Sequence, residues 1–459
     1  MFSKEVYVRR RAALLEKMRS EGQSGLVLFI GNAEAPAQYK NNCYKWRQES
    51  SWLYFFGIDE PLYAAVLDID SGEETIFAND VELDDIIWMG PQTPVREKAL
   101  AVGVKNSAPL SKLEECLEKA AGRDVHFLPP SRYYNTMRLE ALLPGKTPSE
   151  ALTKAVIGLR IIKEDIEIQE IDKACDLGIQ MHSVARDAIR LGIVEQEIVG
   201  LMEGIALAKG WGTSFPTILT QHGETLHNHL HDKVIEPGKL MVIDAGVENN
   251  MHYASDFTRT YPTSGKFTTK QREIYQIVFE CNELAFSLTK PGVTYREVHL
   301  ATARKMLEGL SALGLVKGDL DEMVAAGIAG LFQPHGLGHN MGLDVHDMED
   351  LGENLVGYEP GQTRARQLGL GSLRMARHLA PGYVITDEPG IYFIPALIEK
   401  FKREGLGGDF VNYQALEGYY DFGGIRLEDD VLVTADGARR LGSGRLPISP
   451  DDVEKAMAK

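Results

Sequence analysis

The sequence predicts two domains: an α/β domain over residues 1–160, then an α+β domain over residues 161–450 with an internal pseudo-twofold duplication. Three observations predict this. A chain of 459 residues exceeds what one ordinary hydrophobic core holds. Strand-like and helix-like patterns intermix up to residue 160. Beyond it, one set of turn, helix and strand signals recurs in the same order.

In the first domain, MFSKEVYVRRRAALLEKMRSEG reads as an amphipathic helix. Residues 26–80 read as strands, LVLFI, SWLYFFGI, YAAVLDID and ETIFA, separated by turn signals such as Asp70-Ser71-Gly72. Helical patterns follow in SKLEECLEKAAG and over residues 131–143. LLPGKTPSE, with its prolines and glycine, predicts a loop near the boundary.

The second domain opens on a long polar pattern, LRIIKEDIEIQEIDKACDLGIQMHSVARDAIRLG, read as one helix. Gly192-Ile-Val-Glu-Gln-Glu-Ile198 closes it and starts another. Gly292-Val-Thr-Tyr-Arg-Glu-Val298 does the same after a helix beginning near Lys270. Downstream of the first signal, Pro237-Gly238 leads the apolar strand KLMVI to Asp244. Downstream of the second, Pro381-Gly382 leads YVIT to Glu388. Two matches in the same order predict a duplicated half-domain whose equivalent strand ends, each bearing an acid, meet near the pseudo-twofold axis.

Composition narrows the function. The net charge of -17 argues against nucleic acid and anionic membrane as partners. Four scattered cysteines, Cys43, Cys116, Cys175 and Cys281, form no CxxC pair and fit a reducing cytoplasm. The run GLVLFIG is too short to span a bilayer, so neither secretion nor membrane insertion is expected.

The residues that carry chemistry are acids and histidines. Asp244 ends an apolar run, and Asp256 begins DFTRT. The block PHGLGHNMGLDVHD brings His335, His339 and His346 among glycines, which let a backbone approach a ligand closely. Glu388 lies in TDEPGIYF and Glu428 in GGIRLEDDVLVT, both among strand-forming residues. A buried acid needs a partner or a metal, or it neutralises. The constellation is Asp244, Asp256, His339, Glu388 and Glu428. Its four carboxylates balance two divalent cations. Oxygen-rich ligands with one imidazole favour Mn²⁺, with Zn²⁺, Co²⁺ and Fe²⁺ also compatible. Two such ions roughly 3.5–4 Å apart can hold a bridging hydroxide and polarise a carbonyl.

The runs DAG and SDFTRT, then HGLGHNMGLDVHD, EPGIYF and GGIRLEDD, resemble in order the prolidase and aminopeptidase P branch of the pita-bread metallopeptidases. RQESSWLYFFGIDEP resembles that family's non-catalytic, creatinase-like N-terminal domain, so the resemblance covers nearly the whole chain. One departure is present: the stretch from Asp244 to Asp256 is one residue longer than the family's, which points to a bulge or a wider hairpin turn.

The resemblance implies hydrolysis of small peptides with proline in second position. It implies that Asp244 chelates the first metal, Asp256 and Glu428 bridge both, and His339 and Glu388 bind the second, with Glu388 also receiving the proton of the attacking water. His227, in ETLHNH, corresponds to a histidine facing substrate. His346 corresponds to one that contacts the scissile carbonyl or the leaving proline nitrogen. His335 and Arg426 fall in the substrate-binding group. Trp88, in DDIIWMGP, stands where aminopeptidase relatives reach a neighbouring subunit's site, and the assembly expected is a homodimer or homotetramer. Arg374, in SLRMARHLAPG, stands where prolidases bind a dipeptide's carboxylate, and the long IPALIEKFKREG segment is also prolidase-like. The sequence therefore leans to an Xaa-Pro dipeptidase, with an Xaa-Pro aminopeptidase on longer peptides as the alternative. A metal-free hydrolase of the creatine-cleaving type and a pita-bread binding module are weaker readings, because all five ligand positions are retained.

Overall fold

In a computed structural model that describes residues 1–458, the chain forms two compact units. One comprises Met1–Arg160 with Asp350–Gly352. The other runs from Ile161 to Glu349 and from Glu353 onward. Among the described residues, no helix is long and apolar enough to cross a membrane.

The first unit is built on a five-stranded mixed sheet. Its strands are β1 (Leu26–Ile30), β2 (Ala64–Asp68), β3 (Glu74–Phe77), β4 (Asn106–Ala108) and β5 (Val125–Phe127), in the order β4-β3-β2-β1-β5. Strand β1 is apolar and buried at every residue, as a strand with neighbours on both edges and cover on both faces must be. Leu28, Val66, Phe77 and Phe127 pack there with Leu113, Leu117 and Leu139 from the helices.

One element departs from the sequence reading. SWLYFFGI is not a strand: Ser50–Phe56 is a helix. The Glu49 side chain caps it, accepting from the Ser51 and Trp52 amides, and Gly57 ends it in the left-handed region. All seven residues are buried, so no polar face marks a helical period, and a short apolar run of this kind reads equally as a strand.

The polar pattern expected as one helix is likewise interrupted. Glu150–Arg160 ends in the first unit, and a new helix, Asp165–Ala188, starts in the second. Glu164 caps that second start reciprocally with Glu167. Charge alone marks no such break, because acids at a helix start and acids on a solvated face look alike.

In the second unit the recurring signals adopt matching local conformations. Gly192 and Gly292 both have φ of 85°. Their amides donate to Ile235 and Leu379, respectively. Each is followed by a helix, Glu195–Lys209 and Tyr295–Ala312. Pro237-Gly238 leads to one long strand and Pro381-Gly382 to another, as the sequence indicated.

The strands of this unit, in chain order, are β6 (Gly212–Thr213), β7 (Ile218–Thr220), β8 (Leu240–Ala245), β9 (Val247–Glu248), β10 (Phe257–Pro262), β11 (Val384–Asp387), β12 (Gly390–Tyr392), β13 (Gly424–Arg426), β14 (Asp429–Val433) and β15 (Ala438–Arg440). They form two three-stranded sheets, β10-β8-β7 and β11-β14-β15, and two short pairs.

The hairpin from β8 to β10 keeps one register from Leu240↔Pro262 to Glu248↔Ala254. Its tip is a three-residue loop, Asn250–Met251–His252, closed by the Asn249 amide on the Tyr253 carbonyl, with His252 at φ 67°. This is a type I turn followed by a left-handed residue. The stretch between the two acids thus ends in a wider turn, and one register runs through it with no bulge.

A second ladder matches it. Asp387 pairs with Asp429 and Gly390 with Arg426, so Glu388 and Glu428 face each other across the intervening rung. An isolated bridge, Thr258↔Glu428, joins the two ladders. The segment around His339 lies alongside β11 through Thr386 N–H to His339 O and Glu388 N–H to Leu337 O. Strand side chains alternate between faces. Met241, Ile243, Ala245, Ile391, Ile425 and Leu427 face the large apolar core. The intervening positions Asp244, Thr258, Glu388, Arg426 and Glu428 face the other way.

Gly246 stands opposite Asp256 on this hairpin, and a Cβ there would lie 1.7 Å from the Ser255 carbonyl oxygen. Gly246→Ala is therefore expected to lower stability by about 3 kcal/mol, the upper range for overpacking. A thermal or denaturant midpoint equal to wild type would contradict this account of the hairpin.

Candidate metal centre

The joined ladders and the loops beside them bring the proposed metal ligands and substrate residues onto one cavity of about 390 Å³. Asp244, Asp256, Glu388, Glu428, His227, His335, His339, His346, Arg374 and Arg426 all line it. That volume is within the range of small-ligand sites.

At its floor, one ligand atom each from Asp256, His339 and Glu428 lie within 4.8 Å of one another, and all three residues are buried. His339 Nε2 is 3.4 Å from Asp256 Oδ2 and 3.8 Å from Glu388 Oε1. The other ring nitrogen, Nδ1, donates to the Asn340 carbonyl at 3.0 Å, which fixes the tautomer and leaves the Nε2 lone pair facing the acids. Thr258 Oγ1 donates to Glu428 Oε2 at 2.6 Å. Asp244 is held by Arg426, whose Nη2 donates to Oδ2 at 2.5 Å.

The electrostatics leave a deficit of positive charge. Burial, then the neighbouring Asp244 carboxylate, holds Asp256 well above the usual carboxylate range. Burial, then Asp256, does the same to Glu428. Glu388 is raised by burial, with His339 and Arg426 partly offsetting it. Asp256 Oδ1 is buried and accepts no hydrogen bond. An orphaned buried acceptor among crowded carboxylates and an oriented imidazole fits a hard or borderline divalent cation. Asp244, Asp256, His339, Glu388 and Glu428 are the residues that would hold it.

The walls are arranged by a second set of contacts. His335 Nδ1 donates to the Gly336 carbonyl at 2.7 Å, so its Nε2 accepts from the Tyr392 hydroxyl at 2.9 Å. That hydroxyl in turn accepts from Arg426 Nη1 at 2.7 Å. Burial, reinforced by Arg426, pushes the His335 imidazole down to about 3, so it is neutral at physiological pH. The His346 ring stacks on His339 at 3.8 Å and 14°. Its Nδ1 lies 3.1 Å from Glu349 Oε2, and burial, then His339, lowers it to about 4. The His227 pKa is lowered by burial and by Arg426. Arg374 Nη1 donates to Glu349 Oε2 at 2.5 Å.

Sequence reading missed Thr258, Tyr392 and Glu349. The first two lie within quoted motifs, two residues after Asp256 and four after Glu388, so alternation would have put them on the same face. Glu349 follows His346 in an irregular segment with no period to place it. His182 was also missed. It is buried in the Asp165–Ala188 helix and its Nε2 contacts the Ala245 carbonyl, next to Asp244, at 2.9 Å.

Comparison with known proteins places this geometry. Residues 169–435 match metallopeptidase family M24, and residues 7–127 match the aminopeptidase P N-terminal domain. The chain belongs to family M24. It is a metal-dependent hydrolase with an α/β N-terminal domain ahead of an α+β catalytic domain. It is 30% identical to the human Xaa-Pro dipeptidase over 99% of this chain and 93% of that one. It is also 30% identical to a probable Xaa-Pro aminopeptidase of Sordaria macrospora, over 98% and 94%. Escherichia coli aminopeptidase P, solved with the inhibitor Pro-Leu, is 29% identical with a TM-score of 0.80, covering 100% of this chain and 98% of that one. Pseudomonas aeruginosa aminopeptidase PepP is 27% identical with a TM-score of 0.80 and the same coverage.

The crowded carboxylates yield a pH prediction. An acid whose folded pKa is raised contributes stability below its unfolded value, about 4, and loses it as pH rises through the folded value. Metal-free protein should therefore melt at progressively lower temperature above about pH 4, as Asp256 and Glu428 ionise. Added divalent cation should raise the midpoint more at pH 8 than at pH 5. A metal-induced shift that is the same at both pH values would count against these acids as ligands.

Proposed function

We propose that this M24 hydrolase cleaves the bond between an N-terminal residue and a following proline, using two divalent cations. Manganese is favoured, with zinc, cobalt and ferrous iron compatible with the donors. The observation that carries the reading is the buried Asp256, His339 and Glu428 group at the floor of a peptide-sized cavity. The names of the relatives, dipeptidase and aminopeptidase, supply the Xaa-Pro bond.

Asp244, Asp256, His339, Glu388 and Glu428 would hold the ions, with Asp256, His339 and Glu428 nearest one another. When bound, the ions supply Lewis-acid polarisation of the scissile carbonyl and an activated water. Glu388, 3.8 Å from His339 Nε2 on the same cavity wall, would accept the proton of the attacking water. Stacked on His339 and tethered by Glu349, His346 is positioned to stabilise charge at the carbonyl oxygen or guide the leaving nitrogen. His227 and His335 shape the substrate side. Arg426 holds Asp244 in place and contributes positive charge to the same wall.

A dipeptidase reading rests on Arg374 as the anchor for the proline carboxylate. The reading as an aminopeptidase on longer peptides is favoured by the ion pair that Arg374 already makes with Glu349. We read the assembly as a homodimer or homotetramer, because the Leu83–Met89 helix buries none of its residues and leaves Trp88 85% exposed. A monomer in sedimentation equilibrium would overturn that. Free thiols at all four cysteines fit a cytoplasmic setting. A fraction recovered from an oxidising compartment would oppose it.

Two variants test the chemistry together. Asp256→Asn is expected to lose bound metal and Xaa-Pro hydrolysis at once, measured by elemental analysis and steady-state rates. His346→Ala should retain its metal and lose ~10²–10³ in kcat, the scale of one preorganised donor. Near-normal turnover with full metal in Asp256→Asn would remove this site assignment.

A further inference from the structure

Building on the Xaa-Pro reading above, we infer that Glu349 is a specificity-determining residue. By neutralising Arg374 it weakens the hold on the free carboxylate of an Xaa-Pro dipeptide and favours peptides that continue past proline.

A dipeptide differs from a longer chain by one carboxylate just beyond the scissile bond. A cation facing that position rewards the dipeptide only if its charge is uncompensated. Two arginine side chains line the cavity. Arg426 is buried and committed to Asp244. Arg374 remains, and its side chain is 40% exposed, within reach of a ligand.

Arg374 is not a free cation, however. Its Nη1 donates to Glu349 Oε2 at 2.5 Å and lies 3.4 Å from Glu353 Oε2. Glu353 also pairs with Arg364, which is held in turn by Asn354 at 3.0 Å. Two arginines and two glutamates sum to zero. The Glu349 oxygen that takes Arg374 also meets His346 Nδ1 at 3.1 Å, so Glu349 is fixed from two sides. A dipeptide carboxylate approaching Arg374 would have to share the guanidinium with Glu349, whose charge already offsets it. The peptide amide of a longer chain has no such penalty, and it can use the guanidinium donors that Glu349 leaves open.

The test compares kcat/KM on an Xaa-Pro dipeptide and an Xaa-Pro-Yaa tripeptide of the same leading residues. The enzymes are metal-loaded wild type, Glu349→Gln, Arg374→Ala and the double variant. Glutamine keeps the shape of Glu349 and removes its charge. Because Glu349 also touches His346, turnover can fall on both substrates, and the dipeptide-to-tripeptide ratio cancels that shared effect. Glu349→Gln should raise the ratio about fivefold, the size of one half-exposed ion pair, chiefly through a lower KM for the dipeptide. In the Arg374→Ala background the same change should move the ratio by less than about twofold, since the two residues act as one pair. A ratio that stays level or falls in Glu349→Gln, or a rise that survives without Arg374, overturns the inference. Wild-type enzyme that carries metal and cleaves neither substrate overturns the Xaa-Pro reading and this inference with it. Active enzyme with an unmoved ratio overturns the inference alone.

Discussion

The catalytic unit depends on one rung of sheet, Thr258 against Glu428. On one side of it runs the hairpin that carries Asp244 and Asp256. On the other runs the ladder in which Glu388 faces Glu428. Because side chains alternate strictly, this single pairing decides whether the acids share a face. A slip of one residue in either ladder would send half of them into the apolar core. The close Gly246–Ser255 approach and the Arg259 guanidinium, which donates to the Thr258 and Glu428 carbonyls, restrict that freedom.

Holding carboxylates this close in a buried site costs free energy unless something compensates them. Within the protein the compensation is partial. Arg426 reaches Asp244 and is steadied by Tyr392, which also engages His335. Behind the rung, Asp429 is held by Arg259, Arg440 and Arg445, and together these keep its carboxyl well below the usual range despite its burial. The adjacent residues Glu428 and Asp429 thus meet opposite surroundings, one short of cations and one surrounded by them. That contrast separates a site made to receive a metal from a joint made to hold the sheet.

Much of this was legible in the sequence. Asp244 stands at the end of an apolar run and Glu388 beside a proline, while Asp256 and Glu428 adjoin strand-forming residues, and those signals survive into strands and tight turns. The recurring Gly-Val-Thr-type signals gave both helix starts. What failed was periodicity where burial is complete: SWLYFF is surrounded by core on every side, so it shows no polar face, and its helical state rests on the Glu49 cap and Gly57. Glu349 was invisible for another reason. It lies in an irregular segment, and its partners, three and twenty-five residues away, are brought to it by the fold.

The hairpin between the two aspartates also bears on how such chains are compared. Its three-residue tip, which His252 completes, lies beyond the rungs, and one register holds from Leu240↔Pro262 to Glu248↔Ala254. A residue added or removed at the tip would change the spacing of the two acids without changing the rungs that carry them, so that spacing is a poor yardstick of kinship. The rung-by-rung correspondence of Asp244 with Thr258 is the better yardstick. The tip itself is a natural place to graft a label or an affinity handle.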